Sequence, residues 1–584
     1  MYSRRRTPRG VKLAALFVIA LSTYLALGPA SRAQSDVYTR WVNLFNPAKS
    51  FDHPATIVVD GNGNTYATGT ICTDSPCAHS ESLVIKYDVN GNIVWKGYLA
   101  GPAQGSESFA NGLKIGLDAQ DNVYVLSVLS PNSTGTDIAL AKFNSAGVRQ
   151  WVDFIGSTGT TGVIPGTLAV APDGNTYTSY GSYNTSTSSD VCNAYLLKRD
   201  TTGKQIWSHE VNPTTSDCDS IPFIGVDGAE NVYALFLDFF SSQIHNSEII
   251  KYNSAGSEVA SFSGNGLGTI TAFRVDANGN SYVAGGGAPA PPNGVEDPIV
   301  AKFNTSGTQD WYYDFGPPPA SSFPLVSGFV DLALDPAGDM FVAWTRQLTG
   351  GGSDISILKF SSTGTREWTS SYNGRPSSSP GSDQAVAIDV NSAGYSYITG
   401  ASADPSRSCC FDQIVTIKYD PNGTTLWVER YSRPGLDTGT PAAIAISGGD
   451  LIVTGQTFDG TVSSTTGSAW TTIDYVQDAA KVSPTSLSFG NQALHTQSAA
   501  QTVTLKNTAE TRLEITGIDV TGDFQVKNGC PATLAAGASC TFAVTFTPSA
   551  TGARTGTVTV HDNWSGSVSD PQTVKLTGTG TSTS

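Results

Sequence analysis

The sequence predicts an all-β protein: an eight-bladed β-propeller closed by its N-terminal strand, followed by an immunoglobulin-like β-sandwich. A motif with Lys, a Gly turn and Trp occurs seven times, as in "LVIKYDVNGNIVWKGYLA" and "VTIKYDPNGTTLWVERYS". The second half of that motif, "YTRWVNLFN", stands alone before the first copy, and a further copy at the end of the array breaks off before its second half. After residue 477 the period disappears and short strand-like segments follow.

Residues 1–33 have the features of an export signal. A basic stretch, "RRRTPRGVK", leads into an apolar run from Leu13 to Leu27, and "SRAQ" offers a small-residue cleavage site after Ala33. The alternative is an uncleaved membrane anchor, but this run is shorter than the ~20 residues that span a bilayer. We therefore expect a secreted or extracytoplasmic protein, in the periplasm or at the cell surface, with no transmembrane segment after signal cleavage.

The composition excludes one large class of partner. The formal net charge is −16, from 33 Lys and Arg against 49 Asp and Glu. Six of the basic residues and none of the acids lie in residues 1–33, so the remainder has 33 − 6 = 27 basic residues and a charge of 27 − 49 = −22. An acidic surface repels phosphate backbones, so we expect no nucleic acid partner. The 61 Gly and only 14% charged residues favour short strands joined by turns.

The motif keeps a fixed internal spacing in all seven copies. Its turn Gly residues are Gly91, Gly147, Gly203, Gly256, Gly307, Gly364 and Gly423. A Lys always stands five residues earlier: Lys86, Lys142, Lys198, Lys251, Lys302, Lys359 and Lys418. A Trp stands four residues later in six copies: Trp95, Trp151, Trp207, Trp311, Trp368 and Trp427. The fourth copy has Ala260 at that position, and Trp41 occupies it in the isolated N-terminal segment.

Each copy is typical of four short antiparallel strands, which is the repeating unit of a propeller blade. The further copy after these seven supplies only three strands, ending near Val476. We predict that residues 38–46 add the fourth strand by pairing with Thr471 to Val476, which would leave no open sheet edge at the junction. Residues 34–477 would then form eight blades; seven blades with an unused end is the alternative.

The repeats resemble a known bacterial family. "DIALAKFNSAGVRQWVDFIG" and "DPIVAKFNTSGTQDWYYDFG" look like the β-propeller repeat called SBBP, whose pattern is an acid, an apolar run, Lys, a Gly turn and Trp. The resemblance extends from about Asp36 to Gln477. It implies the propeller fold and says little about activity, because that family is defined by its repeats.

Residues 478–584 read as strands separated by regular turn signals, which is typical of an immunoglobulin-like sandwich. They resemble the Ig-like module of the ASPM/SPD-2/Hydin (ASH) group, in the bacterial form found in choice-of-anchor D proteins. The segments that carry the resemblance are "LSFG", "VTLKNT", "GDF", "AAGASC" and "VTFTPSATG". The resemblance implies a spacer or interaction module without catalysis.

Eight cysteines in an exported chain favour disulfides over metal ligands, and no Cys/His group has zinc spacing. We expect Cys530 to pair with Cys540 and Cys192 with Cys218, and Cys72 and Cys77 to close a small loop. The adjacent residues Cys409 and Cys410 could form a vicinal bridge or pair elsewhere.

Acidic residues recur where the third strand of a blade begins: Glu81, Asp137, Asp297, Asp354 and Asp412. On adjacent blades they could form an arc of carboxylates for a ligand, with Ca²⁺ the cation they would suit. The alternative is that each caps its own strand or pairs with a repeat Lys. No other metal or cofactor is expected.

The long loops, which differ from blade to blade, would all lie on one face, and such loops on a rigid scaffold commonly carry binding sites. The sequence has no GxSxG, HExxH or GxxxxGK[ST] motif. We therefore predict a secreted or cell-surface, non-catalytic binding or adhesion scaffold with a glycan or protein ligand on the long-loop face. The alternative is an extracellular polysaccharide lyase or hydrolase with its site in the propeller channel, and a purely structural component is a third. A cluster of acid, His or Arg with perturbed pKa values at the channel would favour the enzyme.

Overall fold

A computed structural model describes most of the chain between residues 37 and 582. The described ranges are 37–46, 52–74, 79–99, 109–132, 135–155, 161–184, 192–211, 220–240, 243–263, 267–287, 297–316, 328–348, 352–374, 382–403, 412–432, 438–447, 450–458, 468–477, 480–508, 513–535, 537–562 and 572–582. These residues form β-strands and turns and contain no helix, which confirms the predicted all-β class. Accordingly, no described segment is a helix long and apolar enough to cross a membrane.

Residues 37–477, here called the repeat array, contain eight four-stranded sheets among the described residues. Sheets 1–4 are formed by β2 His53–Val59, β3 Thr65–Cys72, β4 Ser80–Tyr87 and β5 Ile93–Leu99; β6 Phe109–Leu117, β7 Val123–Asn132, β8 Gly135–Phe143 and β9 Arg149–Ile155; β10 Thr161–Val170, β11 Thr176–Asn184, β12 Cys192–Arg199 and β13 Gln205–Val211; and β14 Ser220–Val226, β15 Val232–Phe240, β16 Gln243–Tyr252 and β17 Glu258–Phe262.

Sheets 5–8 repeat the pattern, with one exception in the last. They are formed by β18 Leu267–Val275, β19 Ser281–Gly287, β20 Pro298–Phe303 and β21 Gln309–Asp314; β22 Phe329–Leu334, β23 Met340–Gln347, β24 Ser353–Phe360 and β25 Arg366–Tyr372; β26 Gln384–Val390, β27 Ser396–Ala403, β28 Asp412–Tyr419 and β29 Thr425–Tyr431; and β30 Gly439–Ser447, β31 Asp450–Phe458 and β32 Ser468–Gln477 with β1 Val37–Phe45.

Sheet 8, here called the split sheet, combines the two ends of the array. β1 runs antiparallel to β32, with Tyr38 opposite Val476 and Leu44 opposite Thr471. This is the pairing that the unfinished last motif predicts. It gives β32 a hydrogen-bonded neighbour on both sides.

The motif residues connect neighbouring sheets, as sheets 2 and 3 show. In sheet 2, the Lys142 Nζ lies 4.9 Å from the centroid of the Tyr124 ring and donates to the Thr201 carbonyl in sheet 3 at 3.4 Å. The Trp151 Nε1 donates to the same carbonyl at 3.0 Å. Gly203 packs beneath that indole, where an added Cβ would lie 2.8 Å from the ring. We call this arrangement the Trp–turn contact. It explains why the motif needs Lys, Gly and Trp at fixed spacing.

The sheets are arranged in sequence order, and apolar clusters fill the spaces between them. One such cluster contains Tyr66 and Val84 from sheet 1 together with Ile115 and Val125 from sheet 2, all buried. The first strand of every sheet contacts the first strand of the next sheet, and β30 of sheet 8 contacts β2 of sheet 1. The eight first strands therefore surround a common axis.

After the array, two further sheets pack around a separate core. The strands are β33 Ala480–Ser483, β34 Ser486–Ala493, β35 Gln501–Asn507, β36 Leu513–Val520, β37 Phe524–Asn528, β38 Thr533–Leu534, β39 Ser539–Phe546, β40 Gly552–Asp562 and β41 Gln572–Thr581. Their orders are β33-β35-β39-β37 and β34-β41-β40-β36-β38. Val503 and Val544 from the first sheet and Val558 and Leu576 from the second belong to one buried cluster.

Candidate functional site

The first strands enclose a cavity of about 1340 Å³ on the common axis. Residues from all eight first strands line it. It extends to the short turns between first and second strands, where Asp276, Asn278 and Asp335 form part of its wall. Among the described residues, this cavity is therefore where side chains from every sheet come together.

Each first strand carries an irregularity of register where it lines the cavity. The shifts fall between Pro54 and Thr56, Gly112 and Lys114, Pro165 and Leu168, Ser220 and Phe223, Ile270 and Ala272, Phe329 and Asp331, Ala385 and Ala387, and Pro441 and Ala443. An extra residue in one strand of an antiparallel pair bends that strand and re-aims its side chains. The bulges thus set which residues of the first strands face the axis.

Glycine residues allow neighbouring first strands to approach each other closely. A Cβ added to Gly116 would lie 2.5 Å from the Val170 side chain, and one added to Gly225 would lie 2.2 Å from Val275. Neighbouring first strands therefore approach too closely for larger side chains at these positions, and the few large polar residues of the wall stand out against them.

Four charged residues on four different first strands project from this wall, and we call them the axial cluster: Lys114, Arg274, Asp331 and Asp389. The Arg274 Nη2 lies 2.7 Å from Asp331 Oδ1, which joins sheet 5 to sheet 6. Asp331 also accepts hydrogen bonds from the main-chain N–H of Leu332 at 2.9 Å and of Ile388, in sheet 7, at 3.3 Å. One carboxylate thus links three successive sheets.

Asp389 continues this series of links. Its two oxygens accept the main-chain N–H of Val390 at 2.8 Å and of Ile446, in sheet 8, at 2.9 Å. Burial raises the pKa of its carboxyl to about 6, and the nearby Asp331 charge acts in the same direction, while the two N–H donors and Arg274 oppose the rise. Asp389 therefore takes up a proton more readily than an exposed aspartate does.

Lys114 reaches the cluster from sheet 2. Its side chain is accessible to water inside the cavity, yet protein surrounds that water. This enclosure lowers the pKa of the ammonium, the Arg274 charge lowers it further, and the Asp331 charge opposes the shift. The site thus offers a cation whose neighbours do not fully compensate its charge.

The five acids predicted at the start of third strands lie on five different sheets and do not line the cavity. Asp137 and Asp354 are buried, whereas Glu81, Asp297 and Asp412 are partly exposed. Burial raises the pKa of Asp354, as does the charge of Asp383, while Arg346 opposes the rise. In the described part of the chain, no three His, Cys, Asp or Glu side chains are grouped so that they could hold a metal ion.

The Asp residues that precede the short turns are structural. Asp60 Oδ1 accepts the main-chain N–H groups of Asn62 and Asn64, each at 2.9 Å, and Oδ2 accepts the Tyr66 hydroxyl at 3.0 Å. The same pattern recurs around Asp118, Asp227 and Asp276. These carboxylates shape hairpins, as Asx-type turns do.

Three of the predicted disulfide cysteines have described bonds. Cys530 and Cys540 are joined to each other, as the sequence predicts, and Cys72 is also disulfide-bonded. Cys77, Cys218, Cys409 and Cys410 lie outside the described residues, as does the side chain of Cys192.

The axial cluster was not predicted from the sequence, because the candidate ligand residues were placed at the starts of third strands and the candidate binding surface on the long loops. A usable signal was present: Lys114 and Asp331 stand four residues before a turn Asp, and Arg274 stands two before one. Other first strands have small or apolar residues or Thr at these positions, such as Thr56 and Ala169. Only the ring of first strands shows that the four positions face one another.

Comparison with known proteins characterises the C-terminal region best. The family model described as "Abnormal spindle-like microcephaly-assoc'd, ASPM-SPD-2-Hydin" (ASH) matches residues 479–569. No curated protein has a sequence that matches this chain. The ASH / PapD-like domain 7 of human CEP192 is similar at 13% identity, covering 18% of this chain and 87% of that one, with a TM-score of 0.14.

Two solved propellers are similar to the chain over a larger share of its length. The WD40 domain of SCAP from fission yeast is 10% identical over 76% of this chain and 97% of that one, with a TM-score of 0.41. The β-propeller domain of the Trilobed protease from Pyrococcus furiosus is 8% identical over 60% of this chain and 96% of that one, with a TM-score of 0.35.

Proposed function

We propose that this chain is an exported, non-catalytic binding scaffold. Its repeat array is an eight-bladed β-propeller of the SBBP type, closed by β1, and residues 478–584 form an Ig-like sandwich of the choice-of-anchor D type. The contact of β30 with β2 and the pairing of β1 with β32 support the closed ring. The basic, then apolar, residues 1–33 support export.

The observation that carries binding over catalysis is the way in which the axial carboxylates are held. Asp331 bonds to Arg274 and to two main-chain N–H groups, and Asp389 bonds to two more. A general acid or base must be able to reach a substrate proton. These two carboxylates instead bond to neighbouring sheets, so we assign them a structural part in the wall of a ligand-binding cavity.

We place the ligand, a glycan or a protein segment, at the propeller. The cavity, which extends to the short turns, is one candidate surface for this ligand, and the long-loop face remains a second predicted surface, most of whose loops lie outside the described residues. The C-terminal module would act as a spacer or a docking domain.

One observation favours the enzyme alternative. The pKa of Asp389, raised to about 6, and the lowered pKa of Lys114 lie in one cavity, which is where a polysaccharide lyase or hydrolase would need them. That alternative requires Asp389 to release a main-chain partner during turnover.

A glycan and peptide array with the purified full chain tests the proposal, followed by turnover assays on every ligand that binds. We expect binding without product formation. Product formation that Asp389→Asn abolishes, while Asp173→Asn on an exposed turn has no effect, would establish the enzyme instead. If the chain bound no glycan and no peptide on the array, a binding role would be contradicted.

Export has its own test. The mature protein should begin at Gln34 and be recovered from the extracytoplasmic fraction with its cysteines oxidised. Intact-mass analysis of that fraction without reductant measures the N-terminus and the oxidation state of the cysteines. A cytoplasmic protein with eight free thiols would contradict export.

A further inference from the structure

The axial cluster contains two cations and two carboxylates, but the four charges are not equally compensated. Asp331 is neutralised by Arg274, at 2.7 Å, and its second oxygen accepts the Ile388 N–H. Asp389 has a main-chain N–H on each oxygen. The wall itself thus supplies hydrogen-bond partners to the oxygens of both acids.

The acids at the mouth of the cavity are also directed into their own turns. Asp276 accepts the main-chain N–H groups of Asn278 and Asn280 and the side-chain N–H of Asn280. Asp335 accepts the N–H groups of Ala337 and Asp339, each at 2.9 Å. Neither mouth carboxylate is in salt-bridge contact with Lys114 among the described residues.

Lys114 is the exception within the cluster. Among the described residues, its Nζ forms no ion pair within 4 Å and no hydrogen bond, and its effective neighbours are the Arg274 cation and the Asp331 carboxylate that Arg274 already occupies. An ammonium group that faces enclosed water beside a second cation attracts an anion, because an anion would compensate both charges and supply hydrogen-bond acceptors.

We propose that the cavity binds its ligand through an oxyanion, a carboxylate or a phosphate group, held between Lys114 and Arg274. This inference rests on the proposed binding function and names the chemistry that the ligand must carry. Lys114 donates to the oxyanion as a point charge, and Arg274 contributes the donors that Asp331 and the Phe273 carbonyl leave available.

The size of the cavity indicates that the oxyanion is one group on a larger ligand. A volume of about 1340 Å³ exceeds that of an ordinary small-molecule pocket, which is ~300–1,000 Å³. Lys114, in sheet 2, and Arg274, in sheet 5, line the same cavity three sheets apart, so an anion between them would be anchored near the axis and the rest of the ligand would extend toward the short turns.

Calorimetry of the full chain with sodium glucuronate and with inorganic phosphate tests the proposal, with glucose as the uncharged probe. We expect at least one anion to bind, glucose not to compete with it, and Lys114→Gln to weaken the binding about tenfold or more, as for a lost charge-assisted hydrogen bond. Lys114→Arg should retain most of the affinity. Lys204→Gln, at an exposed turn outside the cavity, is the matched control and should match the wild type.

The two probes separate the two sources of the oxyanion, since glucuronate alone indicates a carboxylate site and phosphate alone a phosphate site. The proposal would be overturned if Lys114→Gln, at wild-type thermal stability, bound the anion as tightly as the wild type does. It would also be overturned if neither anion bound to the wild type. If the chain bound a neutral glycan on the array but neither anion in calorimetry, this inference would be overturned and the proposed function would stand.

Discussion

Sheets 1–7, each formed by one segment of the chain, differ from the split sheet in the charge at one position of the third strand. In sheet 2, Lys142 stands opposite Tyr124 on one side and Trp151 on the other. In the split sheet the corresponding register position holds Asp474, opposite Ile452 and Trp41. The repeat Lys has thus become an acid, and its aromatic partner has become aliphatic.

The missing cation comes from the closing strand. The Arg40 Nε donates to Asp474 Oδ2 at 2.6 Å, and its Nη2 donates to Asp450 Oδ2 at 2.6 Å. Asp474 is fully buried, and burial with the Asp450 charge raises its pKa to about 7, although Arg40 opposes the rise. Where a covalent turn is absent, the sheet therefore uses a buried ion pair that only the correct strand can complete.

The two kinds of sheet also differ in their Trp–turn contacts. Trp41 of the split sheet donates its Nε1 to the Val89 carbonyl of sheet 1 at 3.2 Å, so the closing strand reproduces the regular contact. The Trp427 Nε1 of sheet 7 is buried and finds no hydrogen-bond acceptor among the described residues. The turn that would have accepted from it is the one replaced by the chain ends.

Removing β1 should have the largest effect. Deletion of residues 37–45 exposes the edge of β32, leaves Asp450 and Asp474 without Arg40, and removes the Trp41 contact, so we expect a loss of more than about 5 kcal/mol of stability. Thermal unfolding followed by circular dichroism, with gel filtration, measures it. Adding a synthetic peptide of residues 36–46 should restore the transition. An unchanged transition without the strand would show that the ring does not depend on closure.

Arg40→Met should cost about 3–5 kcal/mol near pH 8, because it leaves the buried Asp474 carboxylate and the partly buried Asp450 carboxylate uncompensated. A raised pKa in the folded state means that the proton stabilises the fold, so stability falls as pH rises from about 4 through the pKa of Asp474, about 7. The defect should therefore shrink at pH 5. Arg149→Met, on an exposed strand, is the control, and Arg40→Met/Asp450→Asn/Asp474→Asn should recover much of the loss. A defect of equal size at both pH values would contradict this account.

Gly203→Ala should destabilise the protein by about 2–3 kcal/mol, from left-handed strain and a clash with Trp151. Gly203 has φ +87° with the indole 2.8 Å from the added Cβ. Gly316→Ala isolates the strain, because Gly316 has φ +73° and nothing within 4 Å, and it should cost about 1 kcal/mol. Chemical denaturation measures both, and equal losses would show that close packing beneath the Trp contributes nothing.

The smallest effect should separate Trp151→Phe from Trp427→Phe. Both substitutions remove similar volume, but only the first breaks a hydrogen bond, that from Trp151 Nε1 to the Thr201 carbonyl. We expect Trp151→Phe to cost about 1 kcal/mol more. A larger loss at Trp427 would mean that its indole N–H is satisfied in solution.

The all-β class and the ASH-like region were predictable because each depends on a local pattern. The Lys–Gly–Trp spacing fixes a strand, a turn and a strand within ten residues, and the segment 479–569 has strand and turn signals of its own. The pairing of residues 38–46 followed from counting strands, and the strand begins one residue earlier, at Val37.

The axial cluster could not be read in the same way. Its four residues occupy one position per strand in four of eight sheets, so they have no period, and their proximity arises only when the first strands surround the axis. The third-strand acids do recur with the period of the repeats and were therefore predicted as a site. That period reflects only the starts of strands on separate sheets. Even Arg40 and Asp474, a direct ion pair, are 434 residues apart in sequence.

That separation imposes an order of events on biosynthesis. β1 is made first among the described strands, yet its partner emerges from the ribosome only after more than 400 further residues. At about 5–20 residues per second, the closing strand waits roughly 20–90 s before β32 exists. During that interval every earlier sheet can form, whereas the N-terminal strand stays unpaired and exposed to other chains. We therefore expect this segment to be the part of the array most open to pairing with another chain during synthesis.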